Sequence, residues 1–194
     1  MGLAQKQIDW VLVPFEKTTA TARLRVFGQL AWNHSDIELS YRIEGPVEEL
    51  VLPERGDGPT AFALGLWKKS CCEFFLGLDG EAGYTEWNFA PAGEWARYDF
   101  SDYRQAEVLP SLSSAIHATS MRSGPSGQRE MKVSLRLGAA SARLGWALQN
   151  GVALRAGVTV VLEHRDGERS HWALKHPTDR ADFHASTNFA LLLK

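Results

Sequence analysis

The stretch that decides the fold runs from Leu66 to Tyr103, LWKKSCCEFFLGLDGEAGYTEWNFAPAGEWARYDFSDY. Its side chains alternate with a period of two, the spacing at which successive residues of a strand point to opposite faces. In a strand over 72–77, Cys72, Phe74 and Leu76 share one face, while Cys71, Glu73 and Phe75 share the other. Over 84–90, Thr85, Trp87 and Phe89 oppose Tyr84, Glu86 and Asn88. Over 95–100, Ala96, Tyr98 and Phe100 oppose Trp95, Arg97 and Asp99. Asp79-Gly80 and Pro91-Ala92-Gly93 supply the turns between them. Each strand thus has one apolar face and one mixed, polar and aromatic face.

The loops suggest a register. Pairing Gly77 with Tyr84 places Glu73 opposite Asn88, and pairing Ala90 with Trp95 places Asn88 opposite Arg97. Glu73, Asn88 and Arg97 then form a row across three strands, with neighbours about 5 Å apart. A carboxylate, an amide and a guanidinium combine acceptors with forked donors, the chemistry that reads hydroxyl groups. Phe75, Tyr84 and Trp95 are expected on the same face, with Glu86 diagonal to Glu73 and Trp67 just before the first strand. The alternative is a solvated outer face carrying weak Glu–Arg pairs. A slip of one residue would scatter the row.

Outward from this stretch the period of two persists. Further strands are expected at 8–13, 23–27, 38–43, 131–137, 158–164, 170–175 and 189–193, with turns at Asp57-Gly58 and Asp166-Gly167. The latter reads as a tight type I′ hairpin. Residues 111–128, rich in Ser and Gly, read as a long surface loop. The best helical candidate, 139–148, contains Gly145 and is weakly amphipathic. Many strands at short spacing predict one all-β domain over 8–194, an antiparallel β-sandwich of two sheets, jelly-roll-like, with long loops and little helix.

Composition excludes other classes. The 194 residues are 44% hydrophobic and 23% charged, as in globular proteins. Twenty-one Lys and Arg against 23 Asp and Glu leave a formal net charge of −2, so neither nucleic acid nor an anionic membrane is an expected partner. No apolar run approaches a membrane span, and Met1 to Lys6 lacks the apolar stretch of a secretory signal, so a cytoplasmic location is expected. Cys71 and Cys72 are adjacent. Their Cα atoms, about 3.8 Å apart, are too close for an ordinary disulfide, and on a strand their thiols point to opposite faces. Seven tryptophans are the one excess.

At these residues the sequence resembles a known group. Leu66-Trp67, then Cys72-Glu73-Phe74-Phe75-Leu76 and Tyr84-Thr85-Glu86-Trp87-Asn88-Phe89-Ala90-Pro91-Ala92-Gly93, are similar to the DOMON-like domains, which are allied to the family 9 carbohydrate-binding modules. The run His171-Trp172-Ala173-Leu174-Lys175-His176-Pro177, followed by Asp182-Phe183-His184, matches the same pattern. The resemblance covers roughly 8–193. It implies a β-sandwich with a sugar-binding sheet face on which two tryptophans clamp a ring while a glutamate, an asparagine and an arginine bond its hydroxyls. Trp67 and Glu73 reproduce the six-residue spacing of that set, and Asn88 takes the place of its asparagine. Glu86 stands where the arginine is expected, so Arg97 is the substitute guanidinium. Trp172 corresponds to the second clamp, although its strand, apolar on both faces, also suits a core position.

The expected function is therefore a non-catalytic module binding a small carbohydrate or polyol, without a cofactor. Other classes have their own residues. Haem ligation would draw on Met121 or Met131 with His117, His164, His171, His176 or His184, but no Cys-x-x-Cys-His motif occurs. His171, His176, Asp182 and His184 could form a metal site. Glu73 and Glu86 could act as a glycosidase pair. A protein-interaction face is the remaining alternative.

Overall fold

The computed structural model describes residues 5–54, 61–106, 116–118, 121–124, 127–177 and 179–194. In chain order the strands and helices are β1 (Lys6–Pro14), β2 (Arg25–Trp32), β3 (Asp36–Glu44), β4 (Cys71–Leu78), β5 (Tyr84–Phe89), β6 (Trp95–Asp102), β7 (Gln105–Ala106), β8 (Ile116–Ala118), β9 (Arg122–Ser123), β10 (Arg129–Arg136), α1 (Leu137–Ala140), α2 (Ala142–Gln149), β11 (Leu154–Glu163), β12 (Arg169–Ala173) and β13 (Leu191–Leu193). Every ladder between these strands is antiparallel.

The first sheet has the order β8-β10-β3-β2-β1, and the second runs β12-β11-β4-β5-β6-β7. β9 joins β10, and β13 joins β11. β1 serves both sheets. Its residues Lys6 to Leu12 pair with β2, whereas Val13 and Pro14 pair with Ala173 and Trp172 of β12. Alternation fills the space between the layers: Trp10, Val26, Leu30, Ile37, Tyr41 and Ile43 come from one sheet, and Phe74, Leu76, Trp87, Phe89, Val158 and Val160 from the other. Apolar inner faces buried against one another make the antiparallel β-sandwich that the alternation predicts. The Tyr41 hydroxyl crosses this core and donates to the Glu73 carbonyl at 2.8 Å.

The expected elements form, with instructive corrections. Part of the expected loop at 111–128 supplies strands, because β8 and β9 extend the first sheet beside β10. The helical candidate is split at Ser141, and Gly145 lets α2 approach α1 closely, since a Cβ there would meet the Gly138 Cα at 2.4 Å. The Asp166-Gly167 hairpin is not type I′. Asp166 has a negative φ, and Gly167, at φ 92°, is the bulge residue after a type I turn. Its N–H donates to the His164 carbonyl at 3.0 Å, while the His164 N–H donates to Glu168 at 2.8 Å. The expected turn at Asp57-Gly58 lies outside the described residues.

The β5–β6 turn uses the same device. Gly93, at φ 96°, donates to the Ala90 carbonyl at 2.9 Å, and the Ala90 N–H donates to Glu94 at 2.8 Å. Ala90 therefore faces Glu94, and Phe89 rather than Ala90 is the partner of Trp95. Glu73 does pair with Asn88, but Asn88 pairs with Ala96, and Arg97 with Trp87. That one-residue difference turns Trp95 and Arg97 to the core side of the second sheet and brings Tyr98 and Phe100 to its outer side.

Candidate functional site

β5 is buried at all six positions and β4 at all but its last, so the outer face of the second sheet is covered as well as its inner one. The cover is the segment 181–189, which crosses the sheet as a strap. Asp182 anchors it. Its carboxylate accepts the Tyr103 hydroxyl at 2.7 Å and the Arg104 guanidinium at 3.0 Å, and its carbonyl accepts the Asn188 amide at 2.6 Å. Burial opposes ionisation of Asp182, yet the bonds from Tyr103 and Arg104 hold its carboxyl below the ordinary range. Phe189 stacks on Phe75 with ring centroids 5.5 Å apart. Gly157, opposite Phe75, makes room for it, because a Cβ there would lie 2.9 Å from the Phe189 ring.

Beside the strap lies a cavity of about 770 Å³. Glu73 and Glu86 form its floor with Val161, while Ala181, Phe183 and His184 of the strap form one wall. Tyr98, Phe100 and Trp67 form the aromatic side, with Arg104 and His171 also lining the space. Trp67 sits in a single 3₁₀ turn, 66–68, entered through Gly65 at φ 75°. The Gly65 N–H donates to the Tyr98 hydroxyl at 3.2 Å, and Tyr98 meets the Trp67 ring edge-on at 5.4 Å. The indole is thereby held at the rim by its neighbour, yet remains 44% exposed.

The floor is electrostatically unusual. Glu73 and Glu86 are both buried, on adjacent strands and on one face. Glu73 Oε2 accepts the Thr159 hydroxyl at 2.7 Å, and Glu86 Oε1 accepts the Asn88 amide at 2.7 Å. Burial lifts the Glu73 carboxyl to about 8, with the Glu86 charge adding to the shift and Thr159 opposing it. Burial likewise lifts Glu86 to about 7, against the Asn88 hydrogen bond and the Arg104 charge. Both carboxyls thus hold protons far above the ordinary carboxylate range.

His184 is driven the other way. Burial and the nearby Arg104 charge lower it to about 4, against the pull of Asp182, so the ring is neutral at pH 7. The Tyr84 hydroxyl accepts the Arg104 backbone N–H at 3.2 Å and lies 2.8 Å from His184 Nδ1. The Tyr84 hydroxyl thus links the Arg104 backbone to the neutral His184 ring. His184 Nε2 lies 3.8 Å from Glu86 Oε2, too far for a hydrogen bond. Arg104 itself takes φ 54°, a left-handed conformation uncommon outside glycine, and in it one residue reaches both Tyr84 and Asp182.

Of the residues selected from sequence, Trp67, Glu73 and Glu86 line the cavity. Asn88 shares their face but is wholly buried, its amide spent on Glu86 and its carbonyl oxygen accepting the Cys71 thiol at 3.6 Å. Trp95, Arg97 and Trp172 lie elsewhere. Trp95 packs against Phe62 in the core. Arg97 pairs with Asp99 at 2.7 Å and donates to the Ala140 carbonyl at the end of α1. Trp172 is buried between the sheets, its indole N–H donated to Ser170 at 3.0 Å. The reasons are the bulge at Gly93 for the first two and, for Trp172, its pairing with Val160 on the inner face.

Tyr98, Phe100, Arg104, Phe183 and His184 are the lining residues that alternation did not select. The parity of Tyr98 and Phe100 was readable, but not their side. Several of the residues weighed as metal or haem ligands are engaged with other partners. His171 faces Glu16 at 2.7 Å, His176 faces the Val13 carbonyl at 2.8 Å, and His164 faces Ser170 at 2.9 Å. Met121 and Met131 are buried in the core, and the His117 side chain lies outside the described residues. Among the described residues no three His, Cys, Asp or Glu side chains group to hold a metal ion, and no helix is long and apolar enough to cross a membrane.

No protein-family model matches the chain, and no curated protein is significantly similar to it. Among solved structures, it is similar to the crystal structure of a protein from Bacteroides uniformis that is proposed to bind carbohydrate. The likeness has a TM-score of 0.59 at 15% identity and covers 93% of this chain and 83% of that one. At that identity the likeness is one of fold.

Proposed function

We propose that this chain is a non-catalytic binding module that takes a small carbohydrate or polyol into the cavity between Trp67 and the strap. The observation that carries the reading is an exposed, edge-braced indole standing at the rim of a floor of carboxyl oxygens. A pyranose has an apolar C–H face suited to an aromatic ring and a rim of hydroxyls suited to acceptors and donors. In this reading Trp67 and Tyr98 offer the apolar contact, Glu73 and Glu86 meet hydroxyls, and Asn88 positions Glu86. The cavity volume falls within the range of small-molecule sites. The kinship to DOMON-like domains and family 9 carbohydrate-binding modules belongs to the same proposal, supported by the Trp67–Glu73 spacing and by the fold of the carbohydrate-associated neighbour.

Binding rather than glycoside cleavage is favoured because both carboxyls rise from one floor. A hydrolase sets its pair on either side of the scissile bond. Intrinsic tryptophan fluorescence titrated with mono- and oligosaccharides tests the proposal. A saturable change in the wild type that a folded Trp67→Ala variant loses is the expected result. A flat response across the panel, or an undiminished one in the variant, overturns it.

A further inference from the structure

The cavity floor has acceptors to spare and a deficit of positive charge. Glu73 and Glu86 are each more than nine-tenths buried. Each has one oxygen partnered, to Thr159 and to Asn88. Among the described residues Glu73 Oε1 has no hydrogen-bond partner, and Glu86 Oε2 meets only the neutral His184 ring at 3.8 Å. Both residues line the open space.

The cations nearby are already committed. Arg104 is shared among Asp182, Tyr103 and the Glu86 field. His171 is matched by Glu16. Arg97, the guanidinium that the sequence assigned to this face, is on the other one. If ionised, Glu73 and Glu86 would together outnumber the Arg104 guanidinium among the described residues that line the cavity, and Arg104 is already paired with Asp182. A buried carboxylate without a partner either keeps its proton or acquires a cation.

We infer that the preferred ligand carries an ammonium group, as an amino sugar does, and that Glu73 and Glu86 together receive it. This rests on the sugar-binding reading and narrows it. An ammonium brings three donors to two unpartnered carboxylate oxygens and restores the charge balance that burial denies them. Trp67, Tyr98, Phe100 and Phe183 add aromatic faces, which attract cations most where water is excluded. A neutral sugar offers the same oxygens hydroxyl donors only.

Isothermal titration calorimetry at pH 7 with three stereochemically matched pairs tests the inference: glucosamine with glucose, galactosamine with galactose, and mannosamine with mannose. The expected result is that at least one amine binds about tenfold or more tightly than its neutral partner. In Glu86→Gln and in Glu73→Gln the affinity for the amine falls further than that for its neutral partner, so the ratio between the two collapses toward one. Because Gln keeps the shape of the protonated carboxyl, both variants are expected to retain the wild-type circular dichroism spectrum. Neutral sugars binding as tightly as the amines overturn the ammonium inference and leave the sugar reading standing. An amine preference that survives both substitutions overturns the assignment to this floor. Failure of all six to bind overturns both readings.

Discussion

The two faces of the second sheet are made from the same strands, offset by one residue, and they are buried to nearly the same extent. Phe74 and Glu73 are neighbours in β4, exposed 0% and 2%. On the inner face burial is self-explanatory, since Phe74, Trp87, Val158, Val160 and Trp172 lose apolar surface to the opposing sheet. On the outer face the same degree of burial falls on Glu73, Glu86, Asn88 and Thr159, where it costs free energy unless each polar atom is partnered. The strap creates that second burial, and it leaves carboxyl oxygens looking into a cavity. The strap also covers apolar residues, since Phe75, Tyr84 and Phe189 form a second cluster there with Phe100 and Phe183. The contrast separates an inner face that is largely apolar from an outer face on which buried carboxyls border a cavity.

The inner face should respond most to truncation. Trp87 is fully buried and stacked on Phe74 at 5.7 Å, so Trp87→Ala is expected to cost about 3–5 kcal/mol in urea unfolding. A loss below 1 kcal/mol would contradict its place in the core.

Next comes Glu73, with the opposite sign. Its carboxyl is raised from an ordinary 4.5 to about 8 in the folded protein, so the native state binds more protons than the unfolded one between those values. Stability from this group is greatest below about pH 4.5 and falls as pH rises toward 8, with a slope of at most about 1.4 kcal/mol per pH unit. Glu73→Gln should remove that slope and gain in stability relative to wild type as pH rises from 4.5 to 8. Thermal melts from pH 4.5 to 8 check this, and parallel pH profiles for the two proteins would refute it.

Arg97→Ala sharpens the comparison at the sheet edge. It should cost about 1 kcal/mol through the loss of the partly exposed pair with Asp99, and leave sugar affinity unchanged, whereas Tyr98→Ala weakens binding. The reverse pattern would restore the register read from the loops. Trp67→Ala is the smallest for stability, under about 0.5 kcal/mol for a rim residue, measured by the same unfolding curves.

These contrasts also mark how far the sequence could be read. Alternation alone located β3, β4, β5 and β6 and put Glu73 opposite Asn88, because a polar residue on a half-apolar strand leaves few registers. It misplaced Arg97 and Trp95 because one glycine decides the parity of the following strand. Gly93 with positive φ makes a three-residue turn and bulge, and a turn one residue longer, with the sequence barely changed, would exchange the faces. The signal was present, since Asp166-Gly167 carries the same device. Trp172 was ambiguous for a different reason: a strand apolar on both sides does not say which side meets the core. The strap was legible as Asp182-Phe183-His184 but not as a roof, because its partners Arg104 and Tyr84 are remote in the chain. Arg104 itself gave no sign, as its role depends on a backbone conformation that sequence pattern does not encode.

That remoteness sets the order in which the molecule acquires its cavity. Tyr84 and His184 are separated by 100 residues, and Arg104 and Asp182 by 78. Contacts so distant must meet the entropy of closing long loops before they add stability, so they form after the local hairpins. On the ribosome the floor residues Glu73 and Glu86 leave the tunnel about a hundred residues before the strap that roofs them. A nascent chain can hold a paired β4–β5 hairpin and have no enclosed cavity at all. The cavity is closed only after 181–189 has been made, long after its floor.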